Sequence, residues 1–129
     1  MQEQHATQTQ PHWDPLLLVE DDDAIRQELR ELLEDEGFFV VEAQNGREAL
    51  DALHRGLRPT LVVLDMMMPV MDGWEFLERM RREEDAAEVP VLLATAVDDR
   101  QLLPRGVKIV QKPYSIDTLM NLVHTQRSA

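Results

Sequence analysis

Leu61-Val62-Val63-Leu64-Asp65-Met66-Met67-Met68-Pro69-Val70-Met71-Asp72-Gly73 begins as an unbroken apolar run and stops at a single carboxylate. Four apolar residues without alternation read as a strand buried on both faces, and the Pro and Asp-Gly beyond them read as a loop. Asp65 therefore stands where a buried strand emerges. In an open parallel sheet ligands bind at that end of the strands, which makes Asp65 a candidate for chemistry. The competing reading is an Asp that only opens a turn, and the rest of the chain must decide between them.

The same pattern recurs on either side. Leu16-Leu17-Leu18-Val19 is a second apolar run, closed by Glu20, Asp21, Asp22 and Asp23. Part of that acidic run suits a helix N-terminus, where carboxylates cap free amides and meet the positive end of the dipole. The helix that follows carries Ile25, Leu29, Leu32 and Leu33 on one face, and Gly37 is its stop. Phe38 to Ala43 reads as a strand, and Asn45-Gly46-Arg47-Glu48 as a capping-box-like start for a helix bearing Ala49, Leu50 and Leu53, ended by Gly56. After the central strand, Thr60 to Leu64, Asp72-Gly73-Trp74-Glu75 opens a third helix with Phe76, Leu77 and Met80 inward and Arg79, Arg81 and Arg82 outward. Val91 to Thr95 is a fourth strand. Asp98 to Leu103 has room for only a turn or so of helix before Pro104 and Gly106. Lys108 to Gln111 forms a fifth strand, and Ser115 caps a last helix with Ile116, Leu119, Met120, Leu122 and Val123 on its apolar face.

Strand and helix alternate five times, which implies parallel strands, right-handed crossovers and helices on both faces. The expected fold class is α/β: a three-layer, doubly wound, five-stranded parallel sheet of order 2-1-3-4-5, flavodoxin-like, with a shortened fourth helix. The 129 residues suit one domain, 15–129, after a loose tail at 1–14 rich in Gln, Thr and His. The formal net charge of -12 and the lack of Lys and Arg clusters argue against nucleic acid as a partner. There is no Cys, which excludes disulfides and thiolate metal sites. With no apolar run long enough for a membrane span and no signal-peptide region, a soluble, cytoplasmic protein is expected.

Four of the five expected strands end in groups capable of electrostatic or proton chemistry: Glu20 and Asp21, Asp65, Thr95 and Lys112. In sheet order 2-1-3-4-5 these ends converge, with the first and third strands flanking the switch point. Crowded carboxylates repel, by roughly 4 kcal/mol per pair near 4 Å at an effective dielectric of about 20. A hard divalent cation compensates, and Mg²⁺ suits an incomplete cage of oxygens because it keeps waters and accepts phosphate oxygens. Lys112 can then pair with a phosphoryl oxygen and the Thr95 hydroxyl can donate to another. Asp65 is left as a nucleophile for an acyl phosphate.

Leu18-Val19-Glu20-Asp21-Asp22, Val63 to Gly73, Thr95-Ala96 and Lys112-Pro113 together resemble the receiver (phosphoacceptor) domain of two-component response regulators, CheY-like, from about Leu16 to Val123. The resemblance implies that Asp65 accepts a phosphoryl group from a histidine kinase, phosphotransfer protein or small phosphodonor. It implies that Asp21, Asp65 and the Met67 carbonyl hold Mg²⁺ while Glu20 helps through water. It also implies that Thr95 and Lys112 shift toward the phosphoryl group and remodel the face used for output. Three departures stand out. Ile109 occupies the position where the family usually has a Phe or Tyr. Lys112 follows Thr95 at a shorter interval than is common. No sequence for an output domain follows the last helix, so output is expected through a downstream effector protein or phosphate relay.

The expected function is thus a stand-alone receiver that is not a turnover enzyme, with self-phosphorylation and slow self-dephosphorylation only. Slow loss is expected because Met67 and Val97, two positions after Asp65 and Thr95, offer a hydrolytic water no hydrogen bond. The alternative is a degenerate receiver acting as a non-phosphorylated interaction module. A flavodoxin-like FMN carrier conflicts with the acids at 20–23, which would repel the phosphate. An aspartate-based phosphotransferase would want a second acid and a larger capping region. His5, His12, His54 and His124 lie at no ligand spacing and read as exposed; Met66, Met67, Met68 and Met71 read as packing around the loop. The run from Arg81 to Asp85 reads as a solvated helix end. Whether the protein forms a homodimer is left open by the sequence.

Overall fold

The computed structural model describes residues 15–68, 70–83, 86–96 and 106–128, with side chains described as far as Gln126. Five strands, β1 (Pro15–Val19), β2 (Phe39–Ala43), β3 (Leu61–Asp65), β4 (Val91–Thr95) and β5 (Val107–Gln111), form one sheet in the order β2-β1-β3-β4-β5. All four pairings are parallel. Among the described residues there are four helices: α1 (Asp23–Asp35), α2 (Gly46–His54), α3 (Gly73–Arg81) and α4 (Ile116–Ser128). This is the expected doubly wound fold. The expected short helical turn at 98–103 lies outside the described residues.

Strand side chains alternate between faces, so an unbroken apolar strand must feed two cores. Leu17, Val19, Val62, Leu64 and Leu93 pack with Phe76, Leu77 and Met80 of α3 and with Ala49, Leu50 and Leu53 of α2. Leu16, Leu18, Leu61, Val63 and Leu92 face the other way, against Leu29 and Leu33 of α1 and Leu119 and Val123 of α4. Each layer of helices thus covers one face of the sheet.

Local signals set the helix starts. Asp22, Asn45 and Asp72 are N-caps whose side-chain oxygens accept from the amides of Ile25, Glu48 and Glu75, each at 2.9 Å. At α2 the Glu48 carboxylate also reaches back to the Gln44 amide at 3.0 Å, one residue earlier than in a standard capping box. Gly37 closes α1 with φ 99°, a conformation that disfavours any side chain. Ser115 caps α4 by accepting from the Thr118 amide at 3.1 Å.

Several expectations need correction. The central strand includes Asp65, because the Met66 amide donates to the Ala94 carbonyl at 2.9 Å and extends the ladder past Leu64. β2 begins at Phe39, and β5 begins at Val107 rather than Lys108. Ile25 is 41% exposed although it shares the apolar face of α1. Arg81 does not face solvent: its Nη1 turns back onto the carbonyls of Ala87 and Val89, both at 3.0 Å, and ties the loop before β4 to the end of α3. Among the described residues no helix is long and apolar enough to cross a membrane.

Candidate functional site

The switch between β1 and β3 places the ends of both strands side by side. Asp65, the last residue of β3, is buried, and its Oδ1 accepts from Lys112 Nζ at 2.8 Å and from the Met67 amide at 3.3 Å. Glu20 follows β1 directly; it too is buried, its amide donates to the Ala43 carbonyl at 3.1 Å, and its Oε2 accepts from the Asp22 amide at 3.1 Å. Asp21 is exposed at the mouth. One carboxylate oxygen each from Glu20, Asp21 and Asp65 lie within 4.8 Å of one another. Thr95 is the buried last residue of β4, and its carbonyl accepts from the Lys112 amide at 2.8 Å. That bond delivers Lys112 from the end of β5 to the pocket, and the Lys112–Pro113 peptide is cis.

The next helix starts close against the end of β3. A Cβ on Gly73 would come within 2.9 Å of Met66 Cα and 3.1 Å of the Asp65 carbonyl oxygen. Only glycine lets α3 begin this near the backbone at the end of β3, with the Gly73 amide donating to the Met66 carbonyl at 2.9 Å.

Charge in the pocket is unbalanced. Burial, followed by the charges of Asp65 and Asp21, pushes the Glu20 carboxyl up to about 7, against the Asp22 amide and Lys112, which act to lower it. Burial works to lower Lys112, but the hydrogen bond and charge of Asp65 and the charge of Glu20 together hold its ammonium above the ordinary lysine value. Burial, and then the charge of Glu20, also raises the Tyr114 phenol next to the pocket. Three carboxylates sharing one ammonium, with oxygen donors only, fit a hard dication that keeps part of its water shell. A carboxyl group that resists ionising without a cation is the expected signature of such a place.

The structure brings Glu20, Asp21, Asp65 and Lys112 together, with Thr95 buried at the end of the adjacent strand and joined to Lys112 through its backbone. The Met67 peptide lies against Asp65, but its side chain is 71% exposed instead of packing with Met68 and Met71, which are buried. Ile109 is half-buried in β5 opposite Leu93. Val97 lies outside the described residues, as do His5 and His12. His54 and His124 are exposed and each meets a glutamate, Glu83 at 3.0 Å and Glu36 at 2.8 Å. Of the expected solvated helix end, Arg82 is exposed and pairs with Glu78 at 3.3 Å; positions 84 and 85 are outside the described residues.

Sequence reasoning missed two neighbours of the pocket. Arg26 was hidden among the charged positions of α1, and the single Tyr of the chain, Tyr114, carried no spacing signal. Tyr114 lines a groove with Ile25, Leu29, Pro113 and Ile116 that opens beside Glu20 and Lys112.

Residues 16–124 match the family model for the response regulator receiver domain. The chain is 38% identical over 110 residues to Response regulator MprA of Mycolicibacterium vanbaalenii, covering 81% of this chain and 46% of that relative. It therefore spans less than half the length of that curated protein. Among solved structures, the signal receiver domain of a signal transduction histidine kinase from Syntrophus aciditrophicus superposes with TM-score 0.80 at 28% identity, over 89% of this chain and 90% of the other. Chemotaxis protein CheY4 of Vibrio cholerae gives TM-score 0.78 at 28% identity, over 88% and 98%.

Proposed function

The chain belongs to the response regulator receiver family, and from that premise we propose that Asp65 is the phosphoryl acceptor of a two-component phosphorelay. The observation that carries the reading is the Lys112 ammonium 2.8 Å from a buried Asp65 oxygen, with Glu20 and Asp21 gathered at the same strand ends. We read residues 15–129 as a single receiver domain in the cytoplasm. The family is not one of turnover enzymes. The step assigned to this chain is one transfer onto itself.

A carboxylate oxygen of Asp65 attacks phosphorus; the bond from phosphorus to the donor breaks, its electron pair leaves with the imidazole of a phosphohistidine or the acetate of acetyl phosphate, and an acyl phosphate forms. Lys112, which balances Asp65 at rest, moves to a phosphoryl oxygen, and the Thr95 hydroxyl donates to another. Glu20, through water, and Asp21, Asp65 and the Met67 carbonyl would hold Mg²⁺, which when bound offsets the charge of carboxylates and phosphoryl group. The groove rimmed by Ile25, Tyr114 and Ile116 offers an apolar seat beside the pocket for a histidine kinase or phosphotransfer protein. A downstream effector protein reads the modified state. The acidic chain, -12 overall, does not suit direct contact with nucleic acid.

Incubation with acetyl phosphate and Mg²⁺ followed by intact mass should show one added phosphoryl group, absent in Asp65→Asn. An unmodified wild-type chain that is folded and binds Mg²⁺ would instead favour the non-phosphorylated interaction module. Hydrolysis of the acyl phosphate should be slow, because the Met67 side chain, two positions after Asp65 and exposed, ends in a thioether that is a poor hydrogen-bond partner for an attacking water. Met67→Asn should shorten the phosphoprotein half-life several-fold; an unchanged half-life removes Met67 as the cause.

A further inference from the structure

We propose that Arg26 is a positioning residue for the cation pocket: it fixes the peptide joining Glu20 to Asp21 and so presents both carboxylates in one arrangement to Mg²⁺. The inference rests on the Mg²⁺ reading above. In sequence, Arg26 belongs to the charged face of α1, yet its side chain is only 16% exposed. Its planar fork sends donors to the loop after β1, to β2 and to the first turn of its own helix. Nη1 donates to the Glu20 carbonyl at 2.9 Å, Nε to Glu42 Oε1 on β2 at 3.1 Å, and Nη2 to Asp23 Oδ1 in the first turn of α1 at 2.6 Å.

Glu20 is thereby held from both sides, its amide by the Ala43 carbonyl and its own carbonyl by Arg26. Because a peptide is planar, the direction of the Glu20 carbonyl fixes the plane in which the Asp21 amide and Cα lie. Asp21 is exposed and leaves from that plane. The guanidinium reaches the pocket through the backbone and, in its described bonds, touches none of its three carboxylates. Arg30 grips the same Glu42 but spends its other bond on Glu34 and, among the described residues, has no bond to Glu20, so it stands outside the brace.

The charge of Arg26 and its geometry act in opposite directions, which makes the role testable. As a nearby cation it repels Mg²⁺, so charge alone predicts that removing it tightens binding. As a positioning residue it organises the ligands, and loss of such support commonly costs about 10–100-fold in metal affinity. Lysine preserves the charge but cannot reach three acceptors with one ammonium.

The test is calorimetric titration of Mg²⁺ into the full chain, with melting curves recorded in the absence of metal. Arg26→Gln and Arg26→Lys should both bind about tenfold or more weakly, while Arg30→Gln stays near wild type. Wild-type or tighter affinity in Arg26→Gln overturns the proposal, and so does a lowered melting point with unchanged affinity, which marks a purely structural brace. If Arg26→Gln does not fold, Arg26→Lys and Glu42→Gln decide by the same criterion. Failure of the wild type itself to bind overturns the Mg²⁺ reading; wild-type binding with unaltered variants overturns the role of Arg26 alone.

Discussion

Two clusters of charge meet at the start of α1, built from the same kinds of residue, and they are balanced in opposite ways. On the outer flank each of Asp23, Glu34 and Glu42 is paired with Arg26 or Arg30 in a continuous chain of ion pairs. A few ångströms inward, Glu20, Asp21 and Asp65 share the ammonium of Lys112. Matched charge on a surface contributes little and needs nothing further. Unmatched charge that is also desolvated is costly, and it persists where a charged ligand is due to arrive. Acidic residues therefore do not mark the site by their number. Burial combined with too few cations does.

The largest effect that could break this contrast is the response of the metal-free protein to pH. Glu20 has a folded value raised from 4.5 to about 7, so the proton is held more tightly in the folded chain than in the unfolded one. Its contribution to stability is complete below about 4.5 and is lost as pH rises through about 7, opposite in sign to a salt-bridged acid. Roughly 3 to 4 kcal/mol at most is at stake, from the size of the shift at about 1.4 kcal/mol per unit. Denaturant melts without Mg²⁺ should show stability falling over that window in the wild type and a flatter profile in Glu20→Gln. Parallel profiles for the two proteins would mean that Glu20 does not carry the unbalanced charge of the pocket.

How the two clusters differ was only partly legible from the chain. The apolar runs of β1, β3 and β4 and the caps at Asp22, Asn45 and Asp72 are local patterns, and they place Glu20, Asp21, Asp65 and Thr95 at strand ends without reference to distant residues; Lys112 follows from the weaker strand pattern of β5. What the sequence could not carry was the partner of a long side chain. Arg26 and Arg81 both sit at charged helical positions, and periodicity assigns both to solvent. One folds onto the Glu20 carbonyl and the other onto the Ala87 and Val89 carbonyls, six to eight residues away and just beyond the ends of their helices, where helical periodicity carries no information. Asp65 falls one residue past the expected strand, Thr60 to Leu64, because its place in β3 depends on pairing with β4. Met67 went wrong in the other direction, since an apolar residue between apolar neighbours gives no local sign that it faces water.

Smaller effects should sharpen the contrast within the single run 21–23, where successive acids do three different jobs. Asp21 faces the pocket, Asp22 caps α1 and Asp23 pairs with Arg26. Mg²⁺ at about a hundred times its dissociation constant should stabilise the wild type by about 2.7 kcal/mol, several degrees in melting temperature. Asp21→Asn should lose that gain, because a neutral amide neither offsets the dication nor keeps the three-carboxylate set. Asp22→Ala should cost about 1 kcal/mol with or without Mg²⁺, since the cap acts on the Ile25 amide alone, while Asp22→Asn, which can still accept that bond, should be close to neutral. Asp23→Asn should change stability least, its carboxylate being 82% exposed. Thermal shift measured for all four variants with and without Mg²⁺ separates the roles: a metal-dependent loss belongs to position 21, a metal-independent one to position 22. If Asp21→Asn responds to Mg²⁺ as the wild type does, the three acids are equivalent surface charge and the distinction between the two clusters fails.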